Sequence, residues 1–583
     1  MHTSMRLQSA WTRGQSLGIG LLVCSLAPPV LAQTDVYGPV TGSWTVAGSP
    51  YRVTDHLTVY GLTIQPGVEV IVSPTVRILI ATTIQAVGTA TQPIRFRAED
   101  PSREWFGMQF HGSPPGSRLS YCSFESAGAS ALDLVDSTPQ IDHCVFTSNS
   151  TLTQGGAVLA KITSGDLVFD RCTFSYNQGV LRGGAIAAEL DQGDLVLRGC
   201  VLVGNALFTA GSGEGGGIYA VLADGELRMS QCAISSNRSA ADFAYGGGVY
   251  VRGDYRFTQC YLRENVAEGG PEGFGGGLFV DRGTGVLENC IFGGNLASSV
   301  VRASTVAYGG GLFLRGESLR ATSCLFIENR AFADTRAPGA TWRDRGGNIF
   351  MDSTADLDLA NCTVIWGKTH SRVGGGVFGL QGRTVIKNSI LWGNHGLEID
   401  GTSQTVVTFT TVQGSPVYPG PGNINTDPQL LHDCGMILPT SPSVDAGDPA
   451  FAEEDSAHPP ALGGARNDMG AHGGPLAHQW RRDALPLLAV TPSVFNQAGT
   501  GTIAIANGDP GSLFVIALVA ENQTPLPPPG TALLFDRFCA DGSFTLEVAV
   551  PVTGLQRTLT LRVYTLSSTG TALASNDFDV TIG

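Results

Sequence analysis

The side chains best suited to chemistry fall between positions 302 and 372: Arg302, Arg330, Arg336, Trp342, Arg343, Arg345, Lys368, His370 and Arg372, with Asp334 and Asp344 as acids in the same loops. Guanidinium forks grip carboxylates, and a basic cluster on an acidic protein attracts polyanions, so this group suits an anionic polymer such as a uronate-rich polysaccharide. Arg302, Arg336, Trp342 and His370 are the ligand-binding candidates, Trp342 as a cover for a sugar face. Elimination from a uronate needs a cation on the carboxylate, a base for the C5 proton and a group for the departing oxygen. Arg343, Arg345, Lys368 and Arg372 cover the first two roles. An exposed arginine is a poor base at its ordinary pKa, and no compact Asp cluster accompanies the four, so Ca²⁺ enters only with the lyase reading. The competing reading is that these charges solvate long loops and pair with Asp334 and Asp344.

Other constellations are thinner. Asp242, Glu268 and Glu272 lie in successive loops and are the carboxylates to examine for hydrolysis. His395 with Glu398 and Asp400 forms a polar group whose place near the end of the repeats favours a structural role. Asp445 and Asp448 read as turn residues, with calcium the alternative. No Ser-His-Asp motif, nucleotide loop, haem motif or zinc signature is present, and no cofactor is expected.

A repeat must position these loops. Its fullest form is Cys172-Thr-Phe-Ser-Tyr-Asn177, and the frame returns from Cys144, Cys200, Cys232, Cys260, Cys290 and Cys324, with degenerate copies at Cys122, Cys362 and Ser389. Cysteine spacings of 22, 28, 28, 32, 28, 30, 34 and 38 residues indicate a solenoid with insertions confined to certain loops. Between copies stand glycine runs followed by small or apolar residues, such as Gly215-Gly216-Gly217-Ile218-Tyr219. Apolar residues lie five and three positions before each cysteine, at the cysteine and two after it, as in Leu167, Phe169, Cys172 and Phe174. Alternation of period two holds on each side, and the parity slip just before the cysteine marks a bend between two inward-facing strands. A third strand begins at the glycines.

Three strands per coil, each stacked on its equivalent, describe an all-β right-handed parallel β-helix. The recurring Asn, five positions after the cysteine, would form a ladder of bonded amides at a core-facing corner. Nine cysteines at one inward position have parallel Cα–Cβ vectors, so a ladder of free buried thiols is expected rather than disulfides. The Asn-terminated phrases paired with Gly183-Gly184-Ala185-Ile186 resemble repeats of polymorphic outer-membrane proteins and of the broader pectin-lyase-like superfamily. That resemblance spans roughly residues 45 to 475 and implies the β-helix. It leaves activity open, because the superfamily includes lyases, hydrolases, epimerases, adhesins and non-catalytic surface proteins.

From each Asn (Gly367 in one coil) to the next glycine run there are 5, 5, 9, 8, 9, 13, 16 and 6 residues, so segments 296–308 and 330–345 should raise a wall at one corner. Residues 1–32 read as a signal peptide, with Arg6 and Arg13, the apolar run Leu17 to Leu26 and cleavage after Ala32, which implies a secreted or cell-surface protein. The apolar run is too short to span a bilayer, and nothing later is long and apolar enough. Residues 33–120 are assigned to an N-terminal cap and first coils, 121–412 to regular coils, 413–482 to a terminal coil and cap, and 485–583 to an antiparallel Ig-like β-sandwich. The chain carries 35 basic and 50 acidic residues, a balance that disfavours a nucleic-acid partner. The expected partner is a polysaccharide or other cell-envelope polymer, and oligomeric state is not determined by the sequence.

Overall fold

The computed structural model describes residues 33–480, apart from 301–303, 335–340, 353–354, 402–403, 431–434, 451–454, 456–460 and 462–465, and beyond residue 486 the backbone of the strands. The signal segment, Arg302, Arg336 and Cys434 lie outside the described residues.

Period-two alternation makes strands, and equivalent strands stack in parallel. One coil consists of Ile186–Gln192, Leu195–Arg198 and Val201–Val203. Phe174 lies directly on Leu202, and the same lane continues through Ile234, Leu262, Phe292, Phe326, Val364 and Leu391. Alternate residues point inward and are buried, giving one core along the axis. The bend before each cysteine has left-handed backbone, and side-chain-bearing residues hold it in most coils: Arg171, Gln231, Gln259, Asn289, Ser323, Asn361 and Asn388 have φ near +50°. A second such bend precedes the recurring Asn, at Ser148, Tyr176, Ser236, Glu264 and Glu328. Two of the glycines in each run have separate tasks. Gly215 has φ +74°, whereas a Cβ on Gly216 would sit 2.2 Å from the Gly247 carbonyl of the next coil.

The nine thiols are buried and free, and each described sulfur points at a carbonyl, as Cys200 Sγ does at Phe169 O, 3.4 Å away. Beside them runs the asparagine ladder. Asn177 Nδ2 donates to Asn205 Oδ1 (2.9 Å) and to Phe146 O (3.0 Å), and the pattern repeats through Asn237, Asn265, Asn295 and Asn329. In the coil where Gly367 replaces Asn, the amide comes from Asn348, at the third glycine position, and bridges Asn329 to Asn394.

The first strand, Thr34–Trp44, pairs in parallel with Tyr51–Ile64 and begins the solenoid. Pro39 and register shifts at Gly38 and Gly42 break up its outer edge, which discourages strand addition. Trp105 is fully buried and donates from Nε1 to Glu125 O at 3.0 Å, a core role.

At the other end, Gln404–Thr408 and Thr411–Val412 complete the final coil, with Ile424 bonded alongside. The segment that follows doubles back lengthwise over the third strands. Asn467 bonds to Asn361, Ala471 N–H to Thr363 Oγ1, Leu476 O to Asn289 and Gln479 O to Gln259. Under it the apolar outward residues Ile291, Leu325, Ile327 and Ile365 are buried, with Thr363 among them bonded to the segment. In the C-terminal module, Leu487–Thr491, Gly499–Ala506 and Phe544–Val550 pair antiparallel, as do Leu513–Glu521, Thr531–Arg537, Arg557–Leu566 and Phe578–Ile582. No helix among the described residues is long and apolar enough to cross a membrane.

Candidate functional site

The loops between the Asn and the glycine run do not splay as separate turns. They stack into an arm, one parallel sheet of ten strands folded into two layers. The outgoing layer includes Ala206–Phe208, Leu296–Val300, Arg330–Asp334 and Lys368–Thr369, and the returning layer includes Ser212–Glu214, Ser304–Tyr308 and Thr341–Arg345. Small buried residues fill the space between the layers, among them Ser239, Ala297, Thr305, Ala307, Ala331 and Ala333. The arm therefore has two working faces, set by strand parity.

The inner face meets the outward face of the first strands. One lane there is aromatic: Tyr219, Tyr250, Phe279, Phe313, Phe350 and Phe378 stack with centroids 4.9–5.5 Å apart. Each ring face is used by its neighbour, so the lane offers edges rather than platforms for a sugar. The adjoining lane carries Glu189, Arg252, Asp281, Arg315 and Asp352, of alternating sign. Arg252 pairs with Asp281, and Arg315 reaches Asp352 at 3.0 Å and Asp281 at 3.8 Å. Arg182 bonds Glu214 at 2.8 Å and Glu189 at 3.4 Å. Burial raises the Glu214 carboxyl above its usual range although Arg182 opposes it, and burial pushes the Tyr219 and Tyr245 phenols up to about 12. Both lanes are readable as the second and fourth residues after the runs of three glycines, and as the third and fifth after Gly183-Gly184 and Gly346-Gly347.

Arg343 and Arg345 flank buried Asp344 and project from this inner face. Arg345 lies 4.6 Å over the Phe378 ring, and both guanidiniums pull down the phenol of Tyr308, which burial nevertheless holds above its ordinary value. Lys368 is on the other layer, in register with Arg330, and next to them Phe332 and His370 have ring centroids 5.0 Å apart. Arg372 is exposed on the turn that follows, with φ +59°. Thus Arg343 and Arg345 come together on one face, Arg330, Lys368 and His370 on the opposite one, and Arg372 at the end. Trp342 stands in register with Thr305, and its side chain lies outside what is described.

Ion pairing separates this end of the arm from the rest. Arg238 pairs with Glu268, and the arginines of the charged lane all have acids. Among the described residues Arg330, Arg343, Arg345, Lys368 and Arg372 have no acidic partner. The buried Asp344 carboxylate instead accepts the backbone N–H groups of His370 (2.7 Å) and Ser371 (2.9 Å).

The carboxylates considered for hydrolysis are separated: Glu268 pairs with Arg238 on the outer face, while Glu272 shares the inner face with Phe274, and Asp242 is exposed at the arm's edge. Glu398 ends the asparagine ladder, and His395 Nδ1 lies 3.2 Å from Thr369 O. In the folded-back segment Asp448 pairs with Lys387 at 2.9 Å, and Asp445 N–H donates to Asp468 at 2.8 Å, both serving turns. Among the described residues no three His, Cys, Asp or Glu side chains are grouped as metal ligands. A cavity of about 360 Å³, lined by Val46, Pro50, Glu69, Gln92 and Arg95, lies at the N-terminal end, in coils that precede the arm.

No curated protein matches the chain, and no match ties its repeats to outer-membrane proteins. The family described as right handed beta helix region matches residues 112–267, so the coils from there to the base of the arm are similar to that family, and the fold resembles pectin-lyase-like β-helix proteins.

Proposed function

We propose that this chain is an exported β-helix protein that binds an anionic carbohydrate polymer at the last two coils of its arm. The observation that carries the reading is the set of five cations there without acidic partners among the described residues, on a chain of net charge −15. Guanidinium and ammonium groups that have no acidic partner among the described residues leave their donors available to carboxylates. Export rests on the signal-like residues 1–32, and the antiparallel C-terminal module is read as a β-sandwich that attaches or adds affinity. Surface display of the kind seen with polymorphic outer-membrane repeats belongs to the same proposal.

A second reading, a lyase acting on uronates, is favoured by the Tyr308 phenol beside Arg343 and Arg345, a potential proton carrier next to carboxylate-binding groups. The net upward push on that phenol makes it a poor base near neutral pH, so binding leads. Calcium would matter only under this second reading.

Purified full-length protein should be retained on immobilised polygalacturonate and pass through neutral glucan, with retention falling as salt rises. Replacing Arg330 and Lys368 by Gln should weaken binding by roughly tenfold, at about 0.7 kcal/mol per lost charge contact. Retention on both matrices alike, or unchanged in the double variant, would sink the binding reading. Accumulation of unsaturated product at ultraviolet wavelengths would replace it with the lyase.

A further inference from the structure

The row of buried amides must end somewhere, and the group that ends it is titratable. Each Asn Nδ2 donates to the Oδ1 of the next amide toward the C-terminal end, so all the donors point one way. At the last step Asn394 donates from its backbone N–H to Glu398 Oε1 (3.2 Å) and from Nδ2 to Glu398 Oε2. Every earlier acceptor in the row is a neutral amide. Aligned dipoles leave partial positive charge at the donor end, as at a helix N-terminus, which together with these two hydrogen bonds favours the ionised carboxylate and so opposes the effect of burial. Glu398 is buried on the turn that closes the last coil. Its carbonyl accepts Val377 N–H at 2.9 Å, while neighbouring His395 accepts Gly375 N–H at 2.8 Å and donates to Gly367 O at 2.9 Å.

The charged and titratable residues on its own segment are His395 and Asp400, and those on the arm strand and turn of the preceding coil are Lys368, His370 and Arg372. None forms an ion pair with Glu398 among the described residues, and no charge contributes to its proton affinity. The ionised carboxylate therefore sits in the protein interior with hydrogen bonds and no cation, an arrangement that favours the neutral form.

We propose that Glu398 is a proton-operated latch on the end of the amide ladder: protonated, it holds the last coil closed, and ionised, it lets residues 367–400 open. Burial raises the carboxyl to about 7 from an ordinary 4.5, with the Asn394 and Gly393 hydrogen bonds opposing. The folded form thus holds its proton more tightly than the open form. The stabilisation is complete below about pH 4.5 and is lost as pH rises through about 7. The latch stands apart from the binding reading and does not rest on it.

Hydrogen exchange of the full chain, corrected for intrinsic amide rates, tests it on peptides covering 364–400 against peptides covering 195–205. Between about pH 5 and pH 8.5 the opening constant of the first set should rise roughly tenfold or more, with the second unchanged. Glu398→Gln should flatten the rise to within about twofold. His395 is retained in that variant, so any imidazole contribution cancels in the comparison. An equal rise in wild type and variant overturns the latch. If the variant fails to accumulate, the wild type decides alone, since opening that is flat or falls with pH overturns it as well.

Discussion

At the scale of single residues, the recurring asparagine explains more than any other side chain. Its place in the repeat marks it as a ladder residue, because an amide that returns at one buried register can satisfy itself only on its own copies and on the turn backbone. Asn265 accepts from Asn237 N–H and Nδ2, and donates to Ile234 O and Asn295 Oδ1. Replacing it by Ala leaves the buried Asn237 N–H without a partner, at about 1–3 kcal/mol, and takes one bond each from Asn237 Nδ2, which keeps Leu202 O, and from Asn295 Oδ1, which keeps the N–H of residue 265. Asn265→Ala should therefore lower the denaturant midpoint, by at least about 2 kcal/mol of stability. A change below about 1 kcal/mol would show that water replaces the amide. What the residue types did not disclose is where the unpaired charge lies. Arg252 and Arg343 look alike in sequence, yet stacking gives the first Asp281, while the acid beside the second is spent on the amides of His370 and Ser371.

At the scale of elements, the coil containing Gly367 shows how a ladder survives a missing rung. Other coils place glycine, or alanine at Ala157 and Ala185, in the third position of the run and Asn after the third strand, but here the third position holds Asn348 and the place after the third strand holds Gly367. A Cβ on Gly367 would lie 2.6 Å from Asn348 Nδ2, so one amide fills the space of the other. Asn348→Gly should cost about 2–4 kcal/mol. Adding Gly367→Asn should recover more than about 1 kcal/mol of that, although the Gly375 carbonyl at 2.1 Å from the new Cβ limits the recovery. Denaturation of both single variants and the double variant checks this, and strict additivity would refute the exchange. The loop wall was legible as loop length, because insertions at one corner must project together. Its division into two faces was not, since parity along the arm depends on strands that form only when neighbouring loops stack.

At the scale of the whole molecule, burial of the ladder restricts where the chain can be made. Of the four glycosylation triplets, Asn149-Ser150-Thr151, Asn237-Arg238-Ser239 and Asn361-Cys362-Thr363 have buried asparagines, and the fourth, Asn522-Gln523-Thr524, belongs to the C-terminal module. A glycan added before folding would have to enter the core. Expression through a eukaryotic secretory pathway should give glycosylated, poorly folded chain, while bacterial expression gives folded protein, as mass and circular dichroism will show. Full occupancy of Asn149, Asn237 and Asn361 on a folded secreted protein, mapped by peptide mass, would contradict the burial. The return of residues 435–480 along the flank belongs to this scale too. The sequence marks that stretch as turn-rich, while the apolar residues it covers, Ile291, Leu325 and Ile365, are scattered across coils 34 to 40 residues apart.

The sequence by itself determined the solenoid, the inward thiols, the amide ladder and the corner from which the long loops rise. Each follows from a local period that repeats, and repetition leaves one arrangement in which every copy is satisfied. Tertiary structure decided the rest: which arginines find acids, which face of the arm a cation occupies, where the terminal segment lies, and that Glu398 closes the ladder. Those outcomes depend on residues from different coils meeting at about 4.8 Å, and variable loop lengths hide that meeting from any fixed spacing along the chain.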